Sequence, residues 1–140
     1  MSERESTPDS PSGLLATLEM TVVERDPKRV VVTMPVTPSH HQPFGYLHGG
    51  ASVALAETAA SIGGNLNCPR GFVGFGQEIN ANHLRPVTEG LLTAVATPLH
   101  LGRTTQVWDI RIRDERDRLI CVSRCTVAVI PARGRTGADG

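Results

Sequence analysis

The feature that most constrains this chain is the stretch between Gly49 and Pro69, which is built from alanine, glycine and other small or apolar residues and holds one charged side chain, Glu57. The run GGASVALAETAASIGGNLN follows His48 and closes on Gly63-Gly64 and Asn65. Alanine is the strongest intrinsic helix former, and glycine past the last turn is a common stop. The composition therefore predicts a helix from about Gly49 to about Asn65. A helix that is apolar all round is expected to be buried all round. Its small residues allow the surrounding backbone to approach closely. It is too polar and glycine-rich for a membrane span, and no cationic anchors flank it.

The rest of the chain reads as strands. Leu18 to Arg25 and Arg29 to Val36 form a candidate pair, with Asp26-Pro27 as the turn and a β-branched run at 30–32. Pro38 and Pro43 make 37–47 a loop. After the helix come Gly76 to Arg85, Gly90 to Leu101, Thr104 to Arg113 and Leu119 to Ile130, separated by Pro86, by Leu101-Gly102-Arg103 and by the charged turn 114–118. In the segment from Thr104, Trp108, Ile110 and Ile112 fall on one face, and Asp109, Arg111 and Arg113 on the other. That alternation fits an antiparallel sheet covered on one side. One helix on one face of such a sheet is an α+β fold, and Trp108 is expected in its core.

Charge and composition exclude several functions. Lys plus Arg and Asp plus Glu are each 14, a formal net charge of zero, so no basic face for nucleic acid is expected. No polybasic or amphipathic membrane signal is present. The opening residues MSERESTPDSPSG contain no apolar run, so a cytoplasmic location is expected. Cys68, Cys121 and Cys125 lack metal-ligand spacing and read as reduced, buried thiols. His40, His41, His48, His83 and His100 form no i, i+4 pair, so no metal site is expected. Ser52 is in no nucleophile elbow, and no glycine-rich phosphate loop appears.

Glu57 is the residue that calls for chemistry. A lone carboxylate on an apolar helix is costly unless it is paired, hydrogen-bonded or used. Composition alone leaves open a solvent-facing edge or an arginine partner. The helix start is the second signal. His48-Gly49-Gly50 brings bare backbone to a helix N-terminus, where N–H groups lack internal partners and sit at the positive end of the dipole. Such amides can hold a developing oxyanion, although the same motif also serves as an ordinary helix entry. Spacing sets a further limit. Gly49 and Glu57 are separated by ~12 Å along one helix, whereas an attacking group and an oxyanion donor must each lie within ~3 Å of one carbonyl. One helix cannot supply both. Two antiparallel copies across a two-fold axis can, giving sites shared between chains.

Gln42-Pro-Phe-Gly-Tyr-Leu-His48-Gly-Gly-Ala-Ser-Val-Ala-Leu-Ala-Glu57 resembles the hotdog-fold acyl-CoA thioesterases. The branch it is most similar to holds the Arthrobacter-type 4-hydroxybenzoyl-CoA thioesterases and the 1,4-dihydroxy-2-naphthoyl-CoA thioesterases of menaquinone synthesis. Glu78-Ile-Asn-Ala-Asn-His-Leu-Arg85, Pro98-Leu-His-Leu-Gly102 and Gln106-Val-Trp108 resemble the naphthoyl branch in particular. The likeness spans about Leu14 to Pro131. It sets 13–131 as one thioesterase domain, between a disordered tail at 1–12 and a flexible tail at 132–140.

The resemblance implies a hotdog fold, a long central helix wrapped by a curved antiparallel sheet, assembled as a homodimer or homotetramer. It implies Glu57 as nucleophile or general base and Gly49 N–H as the donor to the thioester oxygen. Gln42 and His48 would lie near the thioester, and Ser61, where some relatives carry Thr, near the acid or the water. Arg85, Arg103 and Thr104 match positions that contact CoA phosphates, with Arg103 standing where relatives carry Ser; Arg133 is a further phosphate candidate. No cofactor is implied, since CoA belongs to the substrate. The rival readings are a hotdog hydratase or dehydratase and a non-catalytic acyl-CoA-binding module.

Overall fold

The computed structural model describes residues 12–133. The tails expected to be disordered lie outside the described residues, apart from their innermost positions, Ser12, Ala132 and Arg133.

The chain forms a short helix α1 (Gly13–Thr17), strands β1 (Thr21–Asp26) and β2 (Arg29–Val36), a 3-10 turn at Pro38–His40, the long helix α2 (Gly49–Leu66), and strands β3 (Phe72–His83), β4 (Gly90–Leu101), β5 (Thr105–Arg113) and β6 (Leu119–Pro131). The six strands make one sheet in the order β1-β2-β4-β5-β6-β3, antiparallel throughout. Helix α2 touches every strand. This is the expected hotdog arrangement, one long helix wrapped by an antiparallel sheet.

Two prolines inside strands sit where the ladder permits them. Pro35 pairs with Leu91 on one side, beyond the last β1 partner at Thr33. Pro98 pairs with Trp108, beyond the last β2 partner at Ala96. Each lacks a strand on the side where its missing N–H would have been needed.

The core is set by period two in the sheet and by pairs of adjacent residues in the helix. Val30, Val32 and Met34 of β2, Leu92, Ala94 and Ala96 of β4, Trp108, Ile110 and Ile112 of β5, and Cys121, Cys125 and Val127 of β6 turn inward and are buried. From α2, Ala51-Ser52, Leu55-Ala56, Ala59-Ala60 and Gly63-Gly64 recur every four residues as one buried stripe. The small side chains let the helix seat deep in the curve. A Cβ at Gly63 would stand 2.5 Å from the Trp108 ring. The Trp108 Nε1–H donates to Gln106 Oε1 at 2.9 Å, and Gln106 Nε2 donates to the Gly64 carbonyl at 3.2 Å. The buried indole thus has a polar partner, and the end of α2 is tied to the sheet.

Three expectations need correction. First, α2 is not buried all round within one chain. The face formed by Gly50, Val53, Ala54, Glu57, Thr58, Ser61 and Ile62 is exposed or half-buried, because the sheet curves round only the opposite flank. Second, β3 begins at Phe72 rather than Gly76, since its pairing with β6 runs on to Phe72↔Pro131. Third, β1 begins at Thr21 rather than Leu18, because the chain before it forms α1, a single turn of helix that turns Leu15 onto the core.

The two edges differ. β1 is short. β3 is twelve residues long, and only Gly74 of it is fully buried, with Phe72 and Phe75 exposed. A long strand with one side unpaired invites another strand.

Candidate active site

The site begins where the 38–47 loop meets α2. His40 is buried and anchors this loop, bridging Thr37 Oγ1 at 2.8 Å and the Leu18 carbonyl at 2.7 Å. His48 is the N-cap of α2: its backbone is extended, and its Nδ1 accepts from Gly50 N–H at 2.8 Å. That bond leaves Nε2 to carry the proton of the neutral ring. A Cβ at Gly50 would lie 2.9 Å from this Nδ1, so the cap geometry requires glycine there. Ala51 N–H donates to the His48 carbonyl, whereas Gly49 N–H donates to no acceptor among the described residues. It stands at the positive end of the helix dipole, free for a ligand oxygen.

Gln42 lies beside it. Its Oε1 accepts from Phe44 N–H at 2.5 Å and Tyr46 N–H at 3.4 Å. With the oxygen engaged by its own loop, the amide nitrogen is the group left to meet a substrate. Gln42, Gly49, Ser52, His83 and Arg85 line one cavity of about 380 Å³, closed by the apolar side chains of Leu47, Leu84, Pro86 and Ile120.

Glu57 faces elsewhere. Two turns along α2, it is half-buried in a separate cavity of about 530 Å³ with Leu14, Leu15, Val53, Ala54, Thr58 and Ser61. Ser61 is one turn on and lines the same cavity. Among the described residues Glu57 has no arginine or other ion-pair partner. Its carboxyl leans over Gly76, where an added Cβ would come within 3.1 Å of Cδ and Oε2. Gly76 precedes a bulge: it pairs with Val127 and Glu78 with Thr126, leaving Gln77 over. Beneath the acid, burial pushes the Cys125 thiol up to about 11, with the Glu57 and Glu78 charges adding to the rise.

The structure thus brings Gln42, Gly49 and Arg85 to one cavity and Glu57 and Ser61 to another, as the spacing argument required. Arg103 and Thr104 stand exposed in the β4–β5 turn, where Thr104 accepts from Val129 N–H, and Arg133 follows the end of β6. Arg85 follows β3 at the other end of β6, near the His83↔Cys121 pair. From Cys121 to Val129 is roughly 27 Å of strand, so one chain does not gather all four around one phosphate group.

Two contacts were not legible in the sequence. His83 lies against Gly49, where a Cβ would stand 3.0 Å from its Nε2, and Gly76 makes room for the Glu57 carboxyl. Both join segments distant along the chain, and the only sequence hint was their place within or beside the Glu78–Arg85 resemblance. Among the described residues, no three His, Cys, Asp or Glu side chains gather as a metal site. No helix there is long and apolar enough to cross a membrane.

The sequence profile of the thioesterase superfamily matches residues 44–121. The chain belongs to the thioesterase superfamily. A 1,4-dihydroxy-2-naphthoyl-CoA hydrolase of Listeria monocytogenes is 51% identical over 117 residues, 84% of this chain and 95% of the relative. The crystal structure of a Haemophilus influenzae thioesterase is 48% identical with a TM-score of 0.82, covering 87% of this chain and 85% of that one. A thioesterase from Staphylococcus aureus superposes with a TM-score of 0.82 at 46% identity, over 84% of this chain and 98% of that one. In that protein, alanine was substituted in separate structures for a glutamine and a glutamate. Their separation along the chain equals that of Gln42 and Glu57. This superfamily member is accordingly a thioester hydrolase.

Proposed function

We propose that this protein hydrolyses acyl-CoA thioesters to free acid and CoA at sites completed by a second copy of the chain. The observation that carries the reading is the division of labour along α2: the unpartnered Gly49 amide opens on one cavity and the Glu57 carboxyl on another. The long edge strand β3 and the uncovered face of α2 lie on the same side of the fold and offer one surface for pairing. Gly49 rests against His83 and Glu57 against Gly76, both on β3. Antiparallel pairing of β3 with its mate, in a register setting Gly76 opposite the partner's His83 to within about two residues, carries Glu57 to the partner's Gly49.

In such a site the thioester oxygen accepts from Gly49 N–H, with the Gln42 amide nitrogen as a neighbouring donor. Glu57 either attacks the carbonyl carbon, forming a mixed anhydride that water then hydrolyses to the free acid and the carboxylate, or takes a proton from a water that attacks directly. The C–S bond breaks and CoA leaves as thiolate, a tolerable leaving group that needs no strong general acid. Ser61 holds the acid or its water. The CoA phosphates meet Arg85 of one chain, and Arg103, Thr104 and Arg133 reach them from another. No bound cofactor takes part. An aryl acyl group is favoured by the likeness to the naphthoyl-CoA hydrolase.

The test is thiol release from a panel of aryl, arylacetyl and aliphatic CoA esters. Glu57→Ala is expected to lower turnover by at least about a hundredfold. Its circular dichroism and melting temperature should match the parent. Near-parental turnover in that variant would overturn the assignment.

A further inference from the structure

The edge of β3 is open over only part of its length. Val129 N–H donates to the Thr104 carbonyl, on the β5 side of β6. Gly74, opposite Val129, therefore turns its own N–H and C=O away from β6, toward the unpaired side. There the Asn65 side chain takes both. Its Nδ2 donates to the Gly74 carbonyl at 3.0 Å, and its Oδ1 accepts from Gly74 N–H at 3.0 Å. The other Nδ2 hydrogen goes to the Ser61 carbonyl at 2.9 Å. An amide that holds the N–H and C=O of one residue together does what a neighbouring strand would do. Glycine permits the approach, since a Cβ at Gly74 would stand 2.9 Å from Val127 Cγ1 and 3.5 Å from the backbone of Gly64. At the far end, Leu84 N–H donates to the Ile120 carbonyl, so by alternation Ile79, Ala81 and His83 face the open side. The bulge after Gly76 by itself leaves the Gly74 groups facing the edge; Asn65 is what closes them off. The edge left for another strand is 76–83.

We propose that Asn65 is a positioning residue, which sets the register in which two copies of β3 pair. This rests on the shared-site reading and adds what fixes its geometry. Antiparallel pairing of 76–83 with its own copy, over its whole length, sets Gly76 opposite the partner's His83 and centres between Ile79 and Asn80. That is the register that carries Glu57 to the partner's Gly49. Were all twelve residues of β3 open, the longest pairing would centre between Gln77 and Glu78 and set Gly76 opposite the partner's Ile79. Four residues of strand are about 13 Å, far too much for a shared site. With Gly74 already satisfied, that longer pairing loses its hydrogen bonds at the Asn65 end. Amides face the edge at every second residue, so the two-fold axis passes through a residue: 79 or 80 with Asn65 in place, 77 or 78 without it.

A residue on the axis faces its own copy at a Cα separation of about 4.5–5.5 Å, which a disulfide spans. The experiment introduces Gln77→Cys, Glu78→Cys, Ile79→Cys and Asn80→Cys one at a time into the full chain carrying Cys68→Ser; Cys121 and Cys125 are fully buried. Disulfide-linked dimer is read on non-reducing gels after mild oxidation. Linkage is expected at Ile79→Cys or Asn80→Cys, and adding Asn65→Ala should move it to Gln77→Cys or Glu78→Cys. Without any added cysteine, Asn65→Ala should lower kcat for thiol release at least about tenfold. Asn65→Ser, too short to bridge both Gly74 groups, should act alike and serves if the alanine variant does not fold. A merely structural role would lower the melting temperature and leave the linkage where it was. Linkage that stays at 79 or 80 in these variants overturns the proposal and leaves the shared site standing. Linkage at neither position with Asn65 present overturns both. Failure of the thioesterase reading is seen separately, as correctly linked dimers that release no thiol from CoA esters.

Discussion

Gly76→Ala is the sharpest probe of how Glu57 is held. The new Cβ would stand 3.1 Å from Cδ and Oε2 and 3.2 Å from Cγ of Glu57. Comfortable carbon contacts lie at roughly 3.5–4.0 Å, so the carboxyl must retreat by several tenths of an ångström. The backbone accepts alanine, since Gly76 does not have a positive φ. A displacement of about 1 Å can cost about a hundredfold in rate, so a shift of this size is expected to lower kcat by about tenfold with little change in KM. The melting temperature should stay within a few degrees of the parent. The control is the double variant. If alanine acts only through the acid, Gly76→Ala adds nothing to Glu57→Ala, the non-additivity expected of groups in contact. A parental kcat in Gly76→Ala, or a further tenfold loss in the double variant, would refute the reasoning.

Gly63→Ala places a Cβ 2.5 Å from the buried Trp108 ring, so overpacking should outweigh the gain in helix propensity and destabilise by about 1–3 kcal/mol in urea unfolding. The folded-state pKa of Cys125 is raised, so its contribution to stability is fully present below the usual thiol value of 9.0 and is lost as pH rises toward about 11. Cys125→Ala should flatten that part of the stability–pH curve, measured by unfolding at fixed pH. Native Cys125 should also resist alkylation at pH 8, since the thiolate is the reactive form and the side chain is fully buried.

Most of the fold was legible because the segments are long and internally consistent. Alanines with a glycine stop specify α2, and alternation at Trp108, Ile110 and Ile112 specifies a half-covered strand. What escaped has physical reasons. The five-residue α1 is too short to show a helical period. The first residues of β3 are held by pairing with the end of β6, which no local pattern in Phe72-Val73-Gly74 announces. The open face of α2 looked like core because Val53, Ala54 and Ile62 on it are as apolar as the residues of the buried stripe. At the candidate site, helix spacing told in advance that Gly49 and Glu57 of one chain stand apart, and the apolar run singled out Glu57, which is half-buried rather than enclosed. His83, Gly76 and Asn65 were not legible, since each owes its place to a contact that exists only in three dimensions.

The central claim is that each site draws Glu57 from one chain and the Gly49 amide from its partner. Mixing two inactive variants tests it most directly. Gly49→Pro deletes that N–H, and His48, with φ −68 and ψ 128, already has the extended backbone favoured before proline. The new Cβ stands 3.0 Å from His83 Nε2, so the imidazole must give by a few tenths of an ångström, and an unchanged melting temperature is the control. Glu57→Ala removes the acid and keeps the amide. When the two chains are co-expressed in equal amounts, about half the dimers are mixed and each holds one intact site, so thiol release should return to about a quarter of the parental rate. Activity that stays at the level of the separate variants would contradict a site shared between chains.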